Sequence, residues 1–416
     1  MAFKSIDGFP PLKDSRNLVT KNSIPDLPIY CGQTELRCLK AMEQESRTLV
    51  ASLSDQTARF ASVYHVLNEA IASRAFPGCA FGVLADGQIV LQDALGGFTY
   101  DEESPAVTAQ TIFDVASLTK VVSTTAAAML LLQRGLLDLD LPIGELLPGF
   151  VVGRAAGEQA HRVTVRHLLA HSSGLPGYVE FFRSVRTPSA LFRACLELPL
   201  EAVPGQRAEY SDPGFILLGK ALEVIAGEYL AIWSRKEIFE PLHLSSTIFC
   251  PRPHLRQQIP PTEDDTTFRH RVIQGEVQDE HAFLLRGAGG HAGLFSNVAD
   301  LLRFSAEVLK ALRPGITTDG GALFRQGTVD LFAERQGPPG SSRALGWDTP
   351  SGNSSSGKHF SRRSIGHLGY SGCSLWIDLD AAIAIVLLTN RTWPDRKSQL
   401  IRKVRPAFHN AVRETL

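Results

Sequence analysis

Net charge is nearly absent from this 416-residue chain, in which 42 Lys and Arg stand against 43 Asp and Glu. No strong basic block breaks that balance, so neither nucleic acid nor an anionic membrane surface is an expected partner. No uninterrupted apolar run reaches the roughly 18 residues of a spanning helix, and the densest is residues 126–132. The N-terminus, Met1-Ala2-Phe3-Lys4-Ser5-Ile6-Asp7-Gly8-Phe9-Pro10-Pro11, lacks the apolar core and small-residue cleavage site of a secretory signal. A cytoplasmic protein is the expectation. The six cysteines (Cys31, Cys38, Cys79, Cys195, Cys250 and Cys373) are dispersed without a C-x-x-C pair, which predicts reduced, mostly buried thiols.

Several motifs are also missing. No G-x-S-x-G occurs, because Gly369-Tyr370-Ser371-Gly372-Cys373 fails at its last position, and this disfavours an α/β-hydrolase elbow. His167 and His171 have the i, i+4 spacing of a zinc hydrolase, but Leu168 stands where that motif needs glutamate. Structural histidines are the better reading. The glycines of residues 287–293 are not followed at once by a helix start, so a dinucleotide phosphate would find no seat. No metal or organic cofactor is implied, and a small-molecule or peptide-like substrate is the default partner.

What is present is length enough for a sizeable core, as one large domain with an insertion or as two to three smaller ones. Residues 1–54 read as an N-terminal extension with one short helical candidate, 34–52. Helical periodicity runs over 56–74, and strand-like runs at 79–85 and 88–95 flank Asp86-Gly87, a hairpin signal. The other end mirrors this with runs at 374–379 and 381–389, then a helical tail over 396–412. The middle, 117–242, is mainly helical, with a capped start at Thr164 and a stop near Gly174. These patterns predict an α/β fold. One antiparallel sheet is built by both termini (about 55–112 and 285–416), with flanking helices and a large helical insertion (about 113–284).

Ser117-Leu118-Thr119-Lys120, ahead of the apolar run 121–132, places a hydroxyl and an amine one turn apart on one helix face. An adjacent base turns a serine hydroxyl into a nucleophile, and a helix N-terminus favours developing negative charge. The same S-x-x-K spacing recurs at Ser355 to Lys358, in a polar, glycine-containing stretch that reads as a mobile loop. Only the first copy is kept. Tyr210-Ser211-Asp212 supplies a second candidate: a phenol beside a cationic lysine has a lowered pKa and shares a proton with the serine. His367-Leu368-Gly369-Tyr370-Ser371-Gly372 supplies a third, a glycine-rich strand edge whose backbone N–H groups suit an oxyanion hole.

Taken in order, these three motifs resemble the serine β-lactamase and penicillin-binding-protein superfamily, in its class C β-lactamase-like branch. That family reads S-x-x-K, then Y-x-N, then K-T-G or H-x-G. The flanks Phe113-Asp114-Val115-Ala116, residues 163–176 and Gly290-His291-Ala292-Gly293-Leu294-Phe295-Ser296 are similar to family segments, and the resemblance covers about residues 57–410. It implies that Ser117 is acylated, that Lys120 and Tyr210 handle protons, and that the Ser117 and Tyr370 amides hold the oxyanion.

Two departures bear on substrate. Asp212 replaces the expected Asn, accepts hydrogen bonds only, and would keep a nearby Lys120 protonated, shifting the base role to Tyr210. His367 replaces the commoner Lys, and Leu368 replaces a hydroxyl that helps bind a β-lactam or peptide carboxylate, so carboxylate recognition is expected to be weaker. Residues 274–281 resemble a pocket segment of some relatives, which would set Asp279 against substrate; a solvated loop is the alternative. The expected function is a serine hydrolase acting through an acyl-enzyme on an ester or peptide-like amide, as a carboxylesterase or D-Ala-type peptidase, with at most weak β-lactamase activity. The alternative is a binding or scaffolding protein that retains the fold without turnover.

Overall fold

The computed structural model describes residue 53 and residues 55–416, apart from 156, 313–321 and 353. The helical candidate at 34–52, with Cys31 and Cys38, lies outside the described residues. In chain order the strands are β1 (Gly78–Ala85), β2 (Gln88–Gly96), β3 (Phe113–Asp114), β4 (Ile248–Phe249), β5 (Pro261–Asp265), β6 (Arg271–Gln274), β7 (Leu294–Ser296), β8 (Ser364–Leu368), β9 (Ser374–Asp378) and β10 (Ile383–Thr389).

Five of them form one antiparallel sheet in the order β2-β1-β10-β9-β8, so the first strand pairs with the last and both ends of the domain share one sheet. Asp86 and Gly87 close the β1–β2 hairpin with positive φ of 51° and 79°, the conformation that an Asp-Gly turn predicts. Alternation along β1 separates two cores. Phe81 and Val83 face the helices Ala61–Ala72 and Ile401–Thr415, packing with Leu67, Leu387 and Phe408. Ala80 and Leu84 belong to the opposite core with Val298, Leu302 and Val386, under the helix Val298–Lys310. Gly82 allows that approach, since a Cβ there would lie 2.5 Å from Val298 Cγ1.

Residues 113–284 are mainly helical, as expected, but also carry β3 to β6, which are too short to show a period. β3-β7-β4 is a small sheet that fixes the segment entering the first motif. Two boundaries and the reading of one loop differ from the sequence analysis. The helix after Thr164 ends at Leu169 rather than near Gly174, because His171 turns into the left-handed region (φ 53°) with its ring Nδ1 accepting from the Ser211 N–H at 3.0 Å. The C-terminal helix begins at Ile401 rather than 396, because the Arg396 and Ser398 carbonyls accept from the Arg391 guanidinium. The loop at 354–358 is pinned, not mobile: His409 Nδ1 donates to the Ser355 carbonyl and Asn410 Oδ1 accepts from the Lys358 N–H.

Residues 116–133 form an 18-residue helical run that is long and apolar enough to cross a membrane, which the count of uninterrupted apolar residues did not show. It is 83% buried within the fold. Among the described residues Cys79, Cys195 and Cys373 are buried free thiols and Cys250 is exposed, in keeping with mostly buried thiols.

Candidate active site

The first motif begins with a strained turn. Ala116, just before Ser117, adopts φ 48°, a region that costs an L-residue energy and persists only when the surroundings enforce it. Asp114 enforces it: its Oδ1 accepts from the Ala116 N–H at 2.8 Å and its Oδ2 from the Gln278 N–H at 2.7 Å. Burial pushes the Asp114 carboxyl up to about 6. Thr119 Oγ1 donates to the Ala116 carbonyl at 2.6 Å and accepts from the Leu294 N–H at 3.0 Å, tying the turn to β7. A π-helical turn, Lys120–Thr125, follows, and such turns recur at functional sites because they rotate the side chains of one helix face.

Ser117 Oγ is the meeting point of two donors, Lys120 Nζ at 3.1 Å and the Tyr210 hydroxyl at 2.8 Å. Lys120 is fully buried, and its Nζ also donates to Asp212 Oδ1 at 2.7 Å and to the His291 carbonyl at 2.8 Å. Three acceptors match the three protons of an ammonium. Burial pushes the Lys120 pKa down, but Asp212 and Tyr210 outweigh it and the net shift is upward. Tyr210 does not have the lowered pKa expected beside a lysine. Burial raises it, Asp212 adds to the rise, and Lys120 only partly offsets them. In the resting site both groups therefore keep their protons and aim them at Ser117.

Tyr210 is held by residues that sequence spacing presented only as a zinc decoy. The His171 ring lies 4.7 Å from the Tyr210 ring, and its Nδ1 fixes the Ser211 backbone. Ser211 caps the helix Asp212–Ala226, accepting from the Gly214 N–H and donating to the Pro176 carbonyl. His167 occupies a different role, completing a capping box with Thr164. Burial, with Arg343 and Lys120 nearby, holds His171 well below its ordinary pKa.

The third motif closes the site. A Cβ on Gly369 would lie 2.6 Å from the Val115 carbonyl, so only glycine lets the loop after β8 approach the nucleophile turn this closely. Ser371 Oγ donates to the Asp114 carbonyl at 2.7 Å, binding the third motif to the first. Arg405, nearly buried, donates to the carbonyls of Gly369, Gly372 and Cys373, and Arg391 donates to that of Tyr370. With the loop's carbonyls so engaged, the Tyr370 N–H, like that of Ser117, has no acceptor among the described residues. These are the two amides expected for an oxyanion hole. His367 is buried, its Nδ1 donating to the Leu368 carbonyl and its ring 5.9 Å from that of Tyr210. Burial, with Lys120 and Arg343, holds its pKa well below the ordinary value.

A cavity of about 1070 Å³ opens over Ser117 and is lined by Tyr210, Asp212, Asp279, His367, Gly369 and Tyr370 among others. Of the candidate site residues Ser117, Lys120, Tyr210, Asp212, Asp279, His367, Gly369 and Tyr370, all but buried Lys120 thus line one cavity. Asp279 lines it as the N-cap of the helix Glu280–Leu284, its Oδ1 accepting from the Ala282 N–H and meeting His291 Nε2 at 2.8 Å. The sequence reading missed Arg343. Its guanidinium lines the same cavity 5.3 Å from the Tyr210 ring, donates no hydrogen bond among the described residues, and has only Asp348 nearby at 3.9 Å. No motif surrounds it, so its place in the cavity is visible only in three dimensions.

The beta-lactamase family model matches residues 63–405, most of the chain. The chain belongs to the beta-lactamase family. It is 30% identical over 380 residues to an N-acetylmuramyl-L-alanine amidase of Bacillus subtilis (strain 168), covering 82% of this chain and 83% of that one. It is 31% identical over 350 residues to a protein named as a D-alanyl-D-alanine carboxypeptidase in Escherichia coli (strain K12), covering 76% and 79%. Two solved structures share the fold. EstCE1, a hydrolase with promiscuous acyltransferase activity, superposes with TM-score 0.65 at 23% identity over 85% of this chain and 100% of its own. Simvastatin synthase (LovD) from Aspergillus terreus superposes with TM-score 0.67 at 21% identity over 85% and 98%. The fold is thus that of β-lactamase and transpeptidase-type hydrolases, with the antiparallel sheet and helical insertion expected.

Proposed function

We propose that this protein is a serine hydrolase that forms an acyl-enzyme on Ser117 and cleaves a peptide-like amide or an ester whose carboxylate meets Arg343. The observation that carries the reading is the convergence of Lys120 Nζ and the Tyr210 hydroxyl on Ser117 Oγ at the floor of one cavity. Ser117 Oγ attacks the carbonyl carbon while its proton passes to the Tyr210–Lys120 pair. The resting pair is fully protonated, so the reactive fraction of the enzyme is that in which the pair has released one proton. The carbonyl oxygen takes up negative charge between the Ser117 and Tyr370 amides, where each donor typically contributes about 3 to 4 kcal/mol. The scissile C–N or C–O bond then breaks, the pair returns the proton to the leaving group, and water releases the acyl group by the same steps reversed.

Relatives named as an amidase and a carboxypeptidase support the amide as substrate class. Arg343 supports a carboxylate on it, a group that Leu368 was expected to leave poorly recognised. The test is intact-mass detection of one covalent adduct after a fluorophosphonate, assigned to Ser117 by peptide mapping, together with hydrolysis of short-chain chromogenic esters and D-Ala peptides. Wild type is expected to react on both counts and Ser117→Ala on neither. Equal inactivity of the two proteins toward every substrate, with no adduct, would establish the non-catalytic alternative instead.

A further inference from the structure

Beside the serine centre lies a group of side chains that the proposed acyl transfer does not use. Asp279 and His281 come from the start of the helix Glu280–Leu284, and His291 comes from the glycine-rich segment before β7. One donor atom from each lies within 4.8 Å of the others. His281 and His291 are both 0% exposed, and among the described residues neither nitrogen of His281 nor Nδ1 of His291 has a hydrogen-bond partner. The His281 ring packs against Tyr178, Phe181 and Phe182, but burial of its nitrogens without a hydrogen-bond partner is unfavourable, because they have lost water and gained no polar contact in its place. Among the described residues no lysine or arginine competes for the carboxylate: Asp279 has His291 as its ion-pair partner, while the adjacent Glu280 is held by Arg396 and Asp212 by Lys120.

We infer that Asp279, His281 and His291 form a binding site for a single divalent transition-metal ion of the zinc class. Two imidazoles and one carboxylate suit a borderline ion in a three-ligand set, with a fourth position left for water or a small ligand on the cavity side, where Asp279 is accessible. Mg²⁺ and Ca²⁺ prefer all-oxygen sets and are disfavoured. On binding, His291 Nε2 exchanges its 2.8 Å contact with Asp279 for the ion. The same residue's carbonyl accepts from Lys120 Nζ, so an occupied site anchors the segment on which the catalytic amine rests. The ion is a support beside the acyl-transfer chemistry and not a participant in it.

The experiment reads metal binding directly, and is therefore independent of whether Ser117 turns out to be a nucleophile. Wild-type protein, stripped by dialysis against a chelator, is titrated with Co²⁺ and with Zn²⁺. The readouts are visible ligand-field absorption for Co²⁺, elemental stoichiometry after gel filtration, and the melting temperature. One ion per chain, tetrahedral-type Co²⁺ bands displaced by Zn²⁺ and a raised melting temperature are expected. Ser117→Ala should bind alike, whereas Asp279→Asn and His281→Gln should each weaken binding at least tenfold, with metal-free circular dichroism and melting unchanged. Should His281→Gln not fold, Asp279→Asn, which can still cap the helix, decides. Absence of stoichiometric uptake by wild type, or uptake that Asp279→Asn leaves intact, overturns the inference.

Discussion

Asp212 Oδ1 lies 2.7 Å from Lys120 Nζ, and the carboxylate takes the place of the amide that related sites carry in Y-x-N. Its charge raises the pKa of both Lys120 and Tyr210 and so holds both protons on the groups that must accept the one from Ser117. Replacing Asp212 with Asn removes that charge and lowers both values. The rising limb of kcat/KM against pH is therefore expected to move toward lower pH in Asp212→Asn, giving higher activity than wild type near neutrality. A limb that stays in place, or moves toward higher pH, would show that Asp212 does not set the protonation of the pair.

Ser117, Lys120 and Tyr210 were legible in the sequence because their chemistry is carried by short spacings and by their order along the chain. The sheet built from both termini was legible too, since Asp86-Gly87 and the apolar runs of residues 374–389 are local signals. What escaped is whatever depends on burial or on contacts between distant segments. Tyr210 was expected to have a lowered pKa from its neighbour alone, but the depth at which it is buried reverses the sign. His171 looked like half of a metal motif and instead orients Tyr210 through Ser211. The left-handed Ala116 and the uncommitted Arg343 have no sequence signature, because neither residue type marks such a role.

Gly369 is a steric requirement of the site. In Gly369→Ala the new methyl meets the Val115 carbonyl at 2.6 Å and the Cys373 Cβ at 3.0 Å, so the loop carrying the Tyr370 amide must retreat from Ser117. Overpacking of this kind costs about 1 to 3 kcal/mol of stability. The displaced donor should lower kcat by roughly 10²-fold, by comparison with loss of one oxyanion donor. Steady-state kinetics and thermal melting check both, and a fold-change in KM with kcat preserved would place the effect elsewhere.

Stability should fall in mild acid through His409, which is buried with Nδ1 donating to the Ser355 carbonyl and Nε2 3.2 Å from Ser374 Oγ. Burial depresses its pKa from 6.5 to about 4, so the unfolded chain binds the proton first. The contribution is complete above pH 6.5 and is lost as pH falls toward 4, at about 1.4 kcal/mol for each unit of depression. Asp114 and Asp300, both raised to about 6 by burial, act in the opposite sense over part of that range. The comparison is therefore made against His409→Asn, which keeps a donor for Ser355 but does not titrate. Relative to His409→Asn, the unfolding free energy of wild type should fall as pH drops from 6.5 to 4, and curves that stay parallel would contradict the assignment.

On the proposed function, Arg343 is expected to favour substrates that carry a carboxylate. The other arginines at the cavity with bonds to the third motif or its surroundings are fully occupied: Arg391 and Arg405 hold loop carbonyls, and Arg396 binds Glu263 and Glu280. Arg343 makes no side-chain hydrogen bond among the described residues, has Asp348 at 3.9 Å, and lines the cavity 5.3 Å from the Tyr210 ring. A carboxylate there gains a charge-assisted hydrogen bond of about 1.5 to 3 kcal/mol, equivalent to roughly 10- to 150-fold in KM or kcat/KM. The measurement compares two esters of equal length, one ending in a carboxylate and one in a methyl group, with wild type, Arg343→Lys and Arg343→Gln. Wild type should favour the carboxylate. Arg343→Gln should lose that preference while hydrolysing the neutral ester as before, and Arg343→Lys should retain part of it, because a point charge replaces the attraction but not the paired geometry. Equal losses on both esters would instead assign Arg343 to the support of Tyr210, since the guanidinium and the phenol ring are already in contact in the absence of substrate.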